Sequence, residues 1–348
     1  YLAGFSNDTG VFNTFLGSFS GYHNTAGNNN TFVGDSTGFY NDSGDYNTFV
    51  GTGSGRSNID GEANLFIGNK AGYSNTTGYK NIFLGNLAGF KAESGRYNVF
   101  IGNLAGYNST ETWGNVNIGY HSGLNTTTGG ANTFVGARSG YSNTTGYSNT
   151  FIGIEAGYSL DTNCCNTFIG DHAGYLAMSG KNNVFMGAYA GYNDSQTDSY
   201  SRSNVMVGND AGYNSIAGYN NVFVGHQTGY SNDFSFNNVF LGYNSGYNNK
   251  TGSDNIFIGH QAGFSNDSSN ANIFIGNDSG IKNENASGNV YVGHRTGNEN
   301  LSGNNNTIIG HESGHYNING SKNVFVGSYS GYYNKGKSNI FQGYKTGY

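Results

Sequence analysis

The chain has 348 residues, of which 59 are Gly and none Pro, with only 10% charged side chains and a formal net charge of −6. Lys and Arg number 15 against 21 Asp and Glu, so a basic patch for nucleic acid is excluded, and no apolar run reaches the length of a membrane span. An aromatic content of 15% argues against disorder despite the abundance of Gly, Asn and Ser.

One motif organises the chain. Asn-x-x-x-Gly, with three mostly apolar residues between, begins at Asn13 and recurs every seventeen residues to Asn183, steps by twenty-one to Asn204, resumes at seventeen to Asn323, and ends at Asn339 after sixteen. These twenty copies mark a repeat architecture in which each unit touches only its neighbours. The reading is therefore a single continuous array over residues 1–348, with a loop insertion near 193–203. It opens and ends mid-repeat, at Ala3-Gly4-Phe5 and Thr346-Gly347-Tyr348. The expectation from those ends is a section of a longer fibre, or a subunit whose ends are covered by copies of itself.

Within a repeat, the anchoring Asn is taken as position zero. Asn30, Phe32, Val33 and Gly34 recur as Asn47, Phe49, Val50 and Gly51, and the same Phe and Gly positions return as Phe83 and Gly85, Phe100 and Gly102, Phe134 and Phe151. Three β-rich residues between Asn and Gly predict a short strand. A second short strand is expected around position eight, always Gly (Gly38, Gly72, Gly89), and position nine, usually aromatic (Tyr73, Tyr107, Tyr141, Tyr158). An Asn/Gly turn such as Asn75-Thr76-Thr77-Gly78 then closes the rung. The fold class is all-β: a parallel β-solenoid of twenty rungs of about seventeen residues, two short strands each, spanning roughly 95 Å at the spacing of stacked strands. The Asn rank is expected to hydrogen-bond along the stack as in other cross-β arrays.

Side chains alternate along a strand, so positions one and three share one face and position two has the other. Both are apolar, and a roll this narrow has one interior, so the remaining face calls for cover by copies of the chain, most simply around a threefold axis. The partner is then the chain itself, as a homotrimer or filament.

The motif of Asn-x-x-x-Gly, a small residue, Gly and a turn resembles the YadA-like head repeats of trimeric autotransporter adhesins, and arrays in bacterial tail-fibre-like surface proteins. The resemblance covers essentially the whole chain. It implies a trimeric left-handed β-roll outside the cell, serving as stalk or adhesive head. Here the period is longer and Phe and Tyr replace smaller residues.

For sites, the sequence offers no catalytic residue, cofactor motif or paired carboxylates, and the expected function is an extracellular structural fibre or adhesin rather than an enzyme. Carbohydrate- or ice-binding is the alternative, and a polysaccharide-degrading β-helix a remoter one. The Tyr rank is expected to pack on itself, with sugar stacking as the other option. His226, His260, His294 and His311 share position five, but only the last two lie on adjacent rungs, too few for a metal site. Turns such as Asn41-Asp42-Ser43 and Asn266-Asp267-Ser268 lack a calcium motif. Asn75, Asn108 and Asn143 open glycosylation sequons. Cys164 and Cys165 have no disulfide or metal spacing, leaving an inter-chain link or two tolerated small residues. Trp113 is placed to fill the gap left where Asn117 replaces Phe.

Overall fold

The computed structural model describes residues 1–178, 180–194 and 203–348. They form two compact units, Tyr1–Asp171 and His172–Tyr348. In the first unit ten three-residue strands, β1 to β10, run from Thr14–Leu16 to Thr167–Ile169. In the second, β11 to β20 run from Val184–Met186 to Ile340–Gln342. Within each unit every strand pairs in parallel with the next rung, and equivalent positions face each other: Thr31 opposite Thr48, Phe32 opposite Phe49, Val33 opposite Val50. The chain is an all-β parallel solenoid. The insertion expected near 193–203 falls mostly on residues outside those described, yet the ladder resumes across it, with the Asn204 amide N–H donating to Asn183 Oδ1 at 3.0 Å.

Among the described residues only one strand forms per rung. The segment expected to be the second is a turn, because its backbone alternates into the left-handed region: position six lies near φ 55° in residues as different as Lys70, Leu87 and His121 (52°, 57° and 57°), and the Gly at position eight near 58°. The segment is still laddered. Gly21 N–H donates to Thr37 O and His23 N–H to Phe39 O, both at 2.9 Å. Hydrogen bonding between rungs is thus kept while the extended conformation is lost.

The two invariant glycines have different causes. At position four a Cβ on Gly85 would meet Gly102 O of the next rung at 2.3 Å. At position eight a Cβ on Gly89 would stand 2.6 Å from Phe83 Cδ2, because the ring lies across the glycine. The left-handed corner at position six is built with a Cβ, so ordinary side chains occupy it at a conformational cost of about 1–2 kcal/mol each.

The interior lies on the position-two side of the strands. Phe32, Phe49, Phe66, Phe83 and Phe100 are all fully buried. Their ring centroids step by 4.9, 4.8, 4.7 and 4.8 Å with planes within 6° of parallel. The second unit repeats the stack from Phe223 to Phe274 and continues it with Tyr291, centroid 4.8 Å from Phe274. The Tyr291 hydroxyl accepts from Asn300 Nδ2 at 2.8 Å, and burial pushes its pKa far up, so it stays protonated. Beside the rings sit small residues at position seven, where Ser54 Oγ donates to Phe66 O at 3.1 Å.

Asparagine fills the rest. Most anchoring Asn residues do two jobs: Oδ1 accepts the main-chain N–H of the Asn one rung on, and Nδ2 caps a turn carbonyl. Asn47 N–H reaches Asn30 Oδ1 at 2.9 Å while Asn30 Nδ2 reaches Gly44 O at 2.8 Å. A second rank, at position eleven, links side chain to side chain: Asn41 to Asn24, Asn58 to Asn41 and Asn75 to Asn58, at 2.6, 2.6 and 2.7 Å. The rank stops at Ala92, and Asn75 Oδ1 is left buried without a partner. A polar interior of this kind is stable only where the neighbouring rung repeats the residue.

Candidate functional site

Burial, polarity and charge divide the surface into three candidate regions. The first is the outward side of the strands. Positions one and three, including Val33 and Val50, are half-buried. The larger aliphatics stand further out: Ile67 is 41% exposed, Ile152 38%, Ile275 37% and Ile309 40%. Two parallel ranks, of Thr, Val, Ile and Leu apart from Met186 and Gln342, therefore line each unit, and no charged residue interrupts them.

The second region is the aromatic rank at position nine with the groove beside it. Tyr73, Phe90 and Tyr107 stack at 5.2 Å per step, as do Tyr141 and Tyr158 at 4.9 Å. Their ring faces are spent on each other, so the rank packs on itself and offers mainly edges to a ligand. Where Arg56 replaces the aromatic residue, its guanidinium bridges the gap, 5.0 Å from the Phe39 ring and 5.7 Å from Tyr73. Alongside runs a polar trough of about 490 Å³ lined by Lys91, Asn108, Thr110, Asn125, Thr127, Ser142, Thr144 and Asp161. Sequence reasoning passed over it, because its walls are built from alternate turn residues of successive rungs.

The third region is a cluster in the second unit. His294 and His311 stack with centroids 5.2 Å apart and planes 10° from parallel, and Glu312 lies beside them. One ligand atom of each of the three falls within 4.8 Å of the others. Among the described residues it is the one group of three or more His, Cys, Asp or Glu so placed. His260 instead pairs with Asp278 at 3.2 Å, and His226 stacks on Tyr243.

Asn75 and Asn143 are fully buried in the position-eleven rank, so neither is a glycan acceptor in the folded chain; Asn108 is half-exposed, its Nδ2 donating to Asn125 at 3.0 Å. Asn41 and Asn266 likewise turn inward and spend their amides within the stack, and Asp267 pairs with Lys250 at 3.1 Å. Trp113 does not fill the gap at Asn117: it is 50% exposed and lies over Gly130. Asn117 is fully buried, and neither its Nδ2 nor its Oδ1 has a hydrogen-bond partner. Cys164 is buried and Cys165 exposed, neither in a disulfide.

In comparison with protein-family models, with curated proteins and with solved structures, the chain matches none. Among the described residues no helix is long and apolar enough to cross a membrane. What stands is a generic β-solenoid.

Proposed function

We propose that the protein is a non-catalytic structural fibre that works outside the cell by associating with copies of itself through the outward strand ranks. The observation that carries this reading is the pair of uncharged ranks at positions one and three, aliphatic apart from Thr at position one and Gln342. Side chains such as Ile67 and Ile309 are about two-fifths exposed in the single chain. Contiguous apolar surface of this extent marks an interaction face on a soluble protein. A second copy suits it, since the same spacing on both partners lets every rung repeat one contact. A homotrimer closes the contact around a threefold axis, in keeping with the resemblance to trimeric adhesin heads.

The test is the mass of the purified chain by light scattering, with electron microscopy of the same sample. A trimer or a filament supports the reading. A monomer with both ranks open to water overturns it.

A second reading, glycan binding, rests on the trough at Lys91–Asp161, whose hydroxyls, amides and two opposite charges suit a polyhydroxylated chain. Hydrogen bonds, rather than ring stacking, would carry the affinity, because the ring faces of the adjacent aromatic rank are occupied. A glycan array distinguishes it: binding that is lost on Asn125→Ala and Thr127→Ala supports capture in the trough.

A further inference from the structure

The geometry points to a Zn²⁺ site formed by His294, His311 and Glu312. The two histidines occupy the same position on successive rungs of the second unit, so the parallel register sets their rings side by side, 5.2 Å apart. In an extended chain Glu312 would point away from His311. It sits instead at a left-handed corner, φ 49°, and the bend brings its carboxylate to the histidine side. This is the third ligand that a count of histidines leaves out.

The donor set is two imidazoles and one carboxylate, a combination that suits Zn²⁺ with water in a fourth position. Tetrahedral bonds of about 2.0–2.1 Å require ligand atoms roughly 3.3 Å apart. The three lie within 4.8 Å, and both histidines are exposed, so side-chain rotation that tips the stacked rings edge-on toward a common ion closes the set. The neighbouring charges allow it. Arg295 stands 3.7 Å from Glu312 and equally 3.7 Å from Asp278, so it keeps a carboxylate when Glu312 turns to the metal. Asp278 also holds His260, and Tyr329 meets the His311 ring edge-on at 5.3 Å. A bound ion would tie one rung to the next at the surface.

The experiment is calorimetric titration of the untagged, chelator-treated chain with ZnCl₂ at neutral pH, with metal content after dialysis as a second readout. One tightly held Zn²⁺ per chain is expected. Glu312→Gln should weaken it by about tenfold or more, the His294→Ala/His311→Ala pair should abolish it, and His226→Ala should leave it unchanged. Circular dichroism of the metal-free variants should match the parent, since both histidines are exposed and Glu312 is partly so. Acidification should release the ion, because protons compete with the metal for its ligands. Absence of saturable uptake, or uptake that survives in the double histidine variant, overturns the site.

Discussion

At the scale of single residues, the backbone decides more than the side chains do. Each rung needs several left-handed residues, and the structure separates those that must be Gly from those that need not. Gly89 carries both constraints, a φ of 58° and a Phe83 ring 2.6 Å from where a Cβ would sit. Gly89→Ala should therefore cost about 2–4 kcal/mol in a urea melt, from left-handed strain plus overpacking. Ala63 is also left-handed, at φ 54°, but exposed. Ala63→Gly should be neutral or stabilising by up to about 1 kcal/mol, since relief of strain offsets the added freedom of the unfolded chain. A loss at Gly89 no larger than the gain at Ala63 would show that conformation, and not the ring contact, governs position eight.

At the scale of the rung, the stack rewards repetition and penalises departure from it. The anchoring Asn98 accepts the Asn115 N–H at 3.0 Å and donates to Thr112 O at 2.9 Å, so Asn98→Ala leaves the buried Asn115 N–H unpaired and Thr112 O with the Arg96 N–H alone. A loss of about 3 kcal/mol is expected, with faster amide exchange centred on Asn115 as the local sign. Asn117 is the converse case: it interrupts the stack between Phe100 and Phe134 with an amide that finds no partner. Asn117→Phe should restore the rank and raise stability by about 2 kcal/mol in chemical denaturation. No change would mean that a water, or a shift of neighbouring side chains, already satisfies the amide. Charge contributes little at this scale, because pairs such as Arg138–Glu155, at 2.9 Å, are bridges between exposed corners.

At the scale of the whole molecule, the question is what covers the outward ranks. Each unit buries one face of its strands on stacked rings and leaves the other as an uncharged aliphatic surface. If copies meet there, a charge on that face should separate them and leave the rungs intact. The pair Ile118→Lys and Ile152→Lys, one position-three residue on each of two nearby rungs of the first unit, should lower the particle mass by light scattering toward that of one chain. Its circular dichroism should be unchanged, because both side chains point away from the interior. An assembly of unaltered mass would move the interface to another face, with the aromatic rank at position nine the next to test.

Period, strand and glycine placement were legible in the residues alone, because a solenoid writes each contact as a recurrence and parallel pairing sets equivalent residues opposite one another. Asn-x-x-x-Gly at a step of seventeen was enough to place Phe32, Phe49 and Phe83 in one rank and to expect asparagine ladders. Other features were decided only by the folded chain. Local composition does not specify φ, so the second segment reads as a strand until its alternating left-handed corners are seen. Those same corners turn Glu312 toward two histidines, and Asn75 and Asn143 inward, away from any glycosylating enzyme. Which apolar face is the interior was likewise beyond the pattern, since alternation separates two faces without saying which side the turns close around. The rings went inside because the position-eight glycines, bare of side chains, leave room for them there.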